Sequence, residues 1–106
     1  MKFQETSLQV NSRTFKLNHV ALENAVIAFL FEDQARMGTV AIAMPGSGEA
    51  AAGRSSVLVG GKYIMSTRAL AEKLAGKTGK ISIVSLYTML EEKGALRIYS
   101  KLMDKM

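Results

Sequence analysis

Residues 24–31, NAVIAFLF, are apolar at every position from Ala25 onward. In an extended chain alternate side chains point to opposite faces, so Val26, Ala28 and Leu30 line one face and Ile27, Phe29 and Phe31 the other. A strand with one wet face would alternate apolar with polar, and this one does not. It must be a central strand covered on both sides. Helices of the same chain supply one cover, and the second comes from the chain folding over or from a second copy. Glu32-Asp33-Gln34-Ala35 then reads as a short polar loop. Residues 36–44, RMGTVAIAM, return as the next strand, with small Gly38, Ala41 and Ala43 among larger Val40, Ile42 and Met44. These two strands are expected to form the centre of the sheet, and Ile27, Phe29, Phe31, Val40 and Ile42 to form the interface of a dimer.

A chain of 106 residues is long enough for one core and one domain, 1–106. No run approaches the roughly 20 apolar residues of a membrane span, and the first residues lack the apolar stretch of a signal peptide. The expectation is a soluble, cytoplasmic protein with no membrane partner. The absence of cysteine removes disulfides, thiolate zinc sites and cysteine nucleophiles.

Residues 3–10 and 14–19 alternate, with Leu8 and Val10 answered by Phe15 and Leu17 across an Asn11-Ser12-Arg13 turn, the pattern of an antiparallel hairpin. The clearest helix runs from Ser66 to Gly79, STRALAEKLAGKTG, with Leu70 and Leu74 four apart among Ala69, Ala71 and Ala75. Ser66 is the expected N-cap, Met65 and Leu70 the expected hydrophobic staple, and Gly79 the left-handed stop. A strand follows, Ile81, Ile83 and Ser85 pointing one way and Ser82, Val84 and Leu86 the other. Thr88 and Glu91 have capping-box spacing ahead of a last helix, whose Leu96, Tyr99, Leu102 or Met103, and Met106 recur every three to four residues.

Charge is uneven along the chain. Residues 1–53 carry four bases and five acids, −1, and residues 54–106 carry ten bases and four acids, +6. This favours a solvated helix face or an acidic protein partner over nucleic acid, because the lysines recur at helical spacing beside Glu72, Glu91 and Glu92 and no aromatic residues interleave with them as a single-strand binder needs. His19 has no second histidine or cysteine to complete a metal site and no orienting group, so it reads as structural. Residues 48–55, GEAAAGRS, fall short of a phosphate-binding loop: Arg54 stands where lysine is needed, and a strand-like run, not a helix, follows. No cofactor is expected. The glycine- and alanine-rich residues 45–53 read as a loop carried by a rigid sheet, where recognition tends to sit. Gly46, Gly48, Glu49, Gly53 and Arg54 are therefore the expected partner contacts, with the basic helix ends at Lys73, Lys77, Lys101 and Lys105 as the other candidate.

Two segments, Arg36-Met37-Gly38-Thr39-Val40 with Pro45 closing the strand, and residues 66–85 preceded by the Val57-Leu58-Val59-Gly60 turn, resemble the small proteasome assembly chaperones of the third and fourth type. Element order over almost the whole chain is similar too, apart from Gly76 within the helix. The resemblance implies an α+β fold, an antiparallel sheet with two helices on one face, that dimerises with itself or with a related chaperone. It also implies a non-catalytic role in helping α subunits of the 20S proteasome form their ring. The spacing of residues offers no enzyme constellation. The alternatives are a generic dimeric scaffold of a signalling or trafficking complex and a basic nucleic-acid-binding module.

Overall fold

The structure, a computed structural model, describes residues 1–46 and 54–106. Among the described residues, six strands and two helices follow in the order β1 (Gln4–Val10), β2 (Arg13–Ala21), β3 (Ala25–Glu32), β4 (Thr39–Ala43), β5 (Ser55–Val59), α1 (Ile64–Thr78), β6 (Ile81–Leu86) and α2 (Glu92–Asp104). They form one sheet, β1-β2-β3-β6-β4-β5. The fold is α+β with a mixed sheet. Four of its five pairings are antiparallel, and β3 with β6 is parallel. No helix among the described residues is long and apolar enough to cross a membrane.

The expected hairpin is present with a tighter turn. Asn11 and Ser12 both have positive φ, 50° and 66°, which is the two-residue turn whose twist matches its strands. Arg13 is already in β2, so Leu8 faces Phe15, Thr6 faces Leu17 and Val10 faces Arg13. β3 is central as its composition demands, but its second neighbour is β6 and not β4. β6 enters there after α1, parallel to β3 and antiparallel to β4, and the sequence between gives no local sign of it.

Both helices cover the same face. Val26, Ala28 and Leu30 of β3, Ala41 and Ala43 of β4, and Val84 and Leu86 of β6 are buried in one cluster with Leu70, Ala71, Leu74 and Ala75 of α1. Alanine opposite alanine lets α1 come close to the strands, and the buried Ser82 hydroxyl donates to the Ala71 carbonyl at 2.6 Å. From α2, Ala95, Ile98, Tyr99, Leu102 and Met103 complete the core, with Tyr99 edge-on to Phe15, ring centroids 5.9 Å apart. Leu96 is not on this stripe and is 38% exposed.

The helix starts differ from expectation because the two expected capping side chains bond elsewhere, and neither N-cap residue makes a side-chain cap bond. α1 begins at Ile64 behind Tyr63 in the left-handed conformation. Ser66 thus lies inside the first turn, where Glu92 of α2 accepts its backbone N–H at 2.9 Å and the Ser66 hydroxyl donates to the Glu92 carbonyl. Met65 is 77% exposed and staples nothing. Thr88 likewise does not cap α2, which starts at Glu92. Its hydroxyl donates to Glu32 at 2.7 Å, beside the Met89 N–H at 2.9 Å and the two-pronged Arg13 guanidinium. Burial pushes the Glu32 carboxyl up, but hydrogen bonds from Thr88, Met89 and Arg13, with the Arg13 charge, outweigh it and hold the group below its ordinary value.

Gly79 ends α1 as expected, at φ 70° with its N–H on the Ala75 carbonyl. A Cβ would meet nothing within 4 Å at either Gly79 or Gly76, so only the backbone distinguishes them. Gly76→Ala should raise stability by about 0.5–1 kcal/mol through helix propensity. Gly79→Ala should lower it by about 1–2 kcal/mol through left-handed strain. Urea melts of the two variants check the opposite signs.

The depressed Glu32 value gives a second expectation. The stability it contributes is full above glutamate's ordinary 4.5 and is lost as pH falls through the lower folded value. Glu32→Gln should cost about 1.5–3 kcal/mol at neutral pH, the range for hydrogen bonds to a charged group. The variant should also lose less stability on acidification than the parent, as read from urea melts across the acidic range.

Candidate docking face

Among the described residues, no helix or further strand layer covers the side of the sheet away from α1 and α2. Pairing register sets its side chains in rows across the strands. Val20, Ile27, Ile83 and Ile42 form one row, and Asn18, Phe29, Ser85 and Val40 form the next. All five residues expected at a dimer interface, Ile27, Phe29, Phe31, Val40 and Ile42, therefore come together on this face. Four of them are half-buried, while Phe31 is 3% exposed and already covered within the chain.

Phe31 is covered because the connection after β3 turns over this face. Ala35, Arg36 and Met37 of that connection wall a cavity of about 310 Å³ with Phe3, Phe29, Phe31 and Asn18. Phe3 stands 58% exposed with its ring centroid 6.0 Å from that of Phe29. The side-chain oxygen of Asn18 is buried without a hydrogen-bond partner. Arg36 is steadied over the Tyr87 ring at 5.3 Å and donates to its hydroxyl at 3.2 Å. Ile83, Phe3 and Met37 were absent from the sequence-derived set. Ile83 was recognisable as one side of an alternating strand, but its place beside Ile27 and Ile42 depends on the parallel insertion of β6.

Gly38 fixes the geometry at the start of β4. Its N–H donates to the Ser85 hydroxyl at 3.0 Å, and a Cβ there would lie 2.1 Å from the Leu86 carbonyl oxygen. β4 can lie against β6 at that point only without a side chain.

Of the expected partner-binding residues, Gly48, Glu49 and Gly53 lie outside the described residues. Gly46 and Arg54 are exposed, and the Met44 N–H donates to the Arg54 carbonyl at 3.0 Å, so the ends of this segment are held together. Arg54 shares a surface hollow with Ile42 and Met44 at the rim of the open face. The phosphate-loop comparison ends at Ser55, which opens a strand. Lys73 is tied between the helices, bonding the Ser100 hydroxyl at 2.6 Å and the Asp104 carboxylate at 2.8 Å, while Lys77 is exposed. Burial lowers the His19 pKa, and its Nδ1 has no partner. Among the described residues no group of three histidine, cysteine, aspartate or glutamate side chains could hold a metal. The geometry describes an open sheet face with Ile27, Phe29, Ile83, Val40 and Ile42 half-exposed at its middle.

No family model matches the chain, and no curated protein sequence matches it. Its fold is similar to that of a chain in the crystal structure of a novel chaperone complex for yeast 20S proteasome assembly. The TM-score is 0.65 at 11% identity, with 99% of this chain and 98% of the other covered. The likeness is one of fold, over essentially the whole of both chains.

Gly38→Ala should destabilise by about 1–3 kcal/mol, the usual cost of forcing an extra carbon into packed structure, as measured by urea denaturation.

Proposed function

We propose that this protein is a non-catalytic assembly chaperone of the cytoplasm that acts as a dimer, binds α subunits of the 20S proteasome and promotes formation of their ring. The observation that carries the reading is the end-to-end fold match to a chain of a proteasome assembly chaperone complex. The open sheet face supports the dimer. Ile27, Ile83, Ile42, Phe29 and Val40 stand side by side in its two rows, apolar, rigidly presented and only half-covered. Two copies packed sheet on sheet about a two-fold axis would bury them, each copy presenting the same patch. The segment from Gly46 to Arg54, of which Arg54 shares a hollow with Ile42 and Met44, is the proposed α-subunit contact, with Lys77 as a further one.

Light scattering at micromolar concentration should give about twice the 11.5 kDa of one chain. Phe29→Asp, which sets a carboxylate in the middle of the apolar rows, should give a monomer. Co-expressed proteasome α subunits should be captured by the parent, and capture should weaken when the residues between Gly46 and Gly53 are shortened. A monomeric parent defeats the dimer. A stable dimer that captures no α subunit leaves the scaffold of another complex as the correct reading.

A further inference from the structure

A separate surface lies on the helical side of the molecule. Lys93, Arg97, Lys101 and Lys105 stand four residues apart along α2 and its C-terminal cap, and all four are exposed. That spacing sets them in one row, successive cations about 6 Å apart along the axis and the whole row about 18 Å long. Among the described residues none of the four has an ion-pair partner. The buried side of α2 packs on β2, β1 and α1, so the row points away from the sheet and stays available whether or not the open face is covered.

A helix needing only a wet surface gains by alternating acid and base at this spacing, whereas three successive like-charged pairs repel. The helix dipole favours Lys101 and Lys105 near the C-terminus but opposes Lys93 near the start. Nearby carboxylates are committed elsewhere: Glu92 accepts the Ser66 N–H, and Asp104 holds Lys73 at 2.8 Å. Glu91 lies just beyond the N-terminal end of the row.

We propose that this row is a docking surface for an acidic helical segment of a partner protein, one with glutamate or aspartate at the same four-residue spacing. Such a helix has an i+4 row of the same rise and inclination, so when the two cross along these rows its carboxylates meet successive cations on either side of the crossing point. Nucleic acid fits less well. Four cations neutralise few phosphates, and Tyr99, the aromatic residue of α2, is buried and offers no base a stacking surface. A membrane is disfavoured because the apolar side of α2 is in the core.

The test uses fluorescence anisotropy with a labelled peptide helix carrying glutamate at every fourth residue, and a single-stranded oligonucleotide of equal charge. The variant Lys93→Gln/Arg97→Gln/Lys101→Gln keeps helix propensity and should melt like the parent. The control, Lys2→Gln/Lys16→Gln/Lys62→Gln, removes equal charge away from α2. The peptide should bind the parent and the control alike, more weakly as salt rises from about 50 to about 300 mM. The α2 variant should bind it at least about tenfold more weakly, and Arg97→Gln alone about two- to threefold. Three results overturn the proposal: no peptide binding at low salt, equal weakening in the control, or row-dependent oligonucleotide binding tighter than that of the peptide. α subunits take no part in the measurement, so its outcome is independent of the chaperone reading.

Discussion

A strand apolar on both faces is stable only if both faces leave water, and the placement of β3 follows from that requirement. The chain meets half of it with α1 and α2, which lie on the side of Val26, Ala28 and Leu30. α1 reaches the sheet closely because the facing positions are small: Ala41, Ala43 and Ser82 below, Ala71 and Ala75 above. Larger side chains at these places would lift the helix and open voids that packed interiors do not tolerate. The other half of the requirement is met only at Phe31, where the connection after β3 folds across. Ile27 and Phe29 keep part of their surface in water, and the proposed dimer follows from that remainder.

What was legible in the sequence was what depends on neighbours in the chain. Alternation identified the strands and their faces, four-residue spacing identified α1, and glycine at 79 marked its end. Ile27, Phe29 and Phe31 share a face, as do Val40 and Ile42, because parity along a strand is fixed by the backbone; the two sets meet on one face only through the register of β6. What was not legible depends on partners far away in sequence. Nothing in residues 81–86 reveals that they lie between β3 and β4, and this insertion makes one pairing parallel and brings Ile83 into the exposed rows. The cap assignments failed similarly. Ser66 and Thr88 have the side chains of capping residues, but in the fold they answer to Glu92 and Glu32.

These two carboxylates join the layers. Glu32 ends β3 and gathers Arg13 from β2 with Thr88 and Met89 from the connection before α2. Glu92 opens α2 and closes the first turn of α1. Lys73 does the corresponding work at the far end of the helix pair, through Ser100 and Asp104. Polar residues here set the positions of elements whose burial energy comes from alanine, leucine and valine. The open face can then be wholly given to contact, since nothing on it is needed to hold the helical layer.

The position of β6 also bears on how the chain is made. β3 and β4 are synthesised before β6, yet each has one edge that waits for residues 81–86. Until those residues emerge, a growing polypeptide holds two apolar strands with free backbone donors and acceptors on facing edges, a template for any other extended segment. Closing the gap means forming contacts between residues far apart in sequence, a slow kind of step. The hazard therefore belongs to the nascent chain, and it ends when the last strand takes its place in the middle of the sheet.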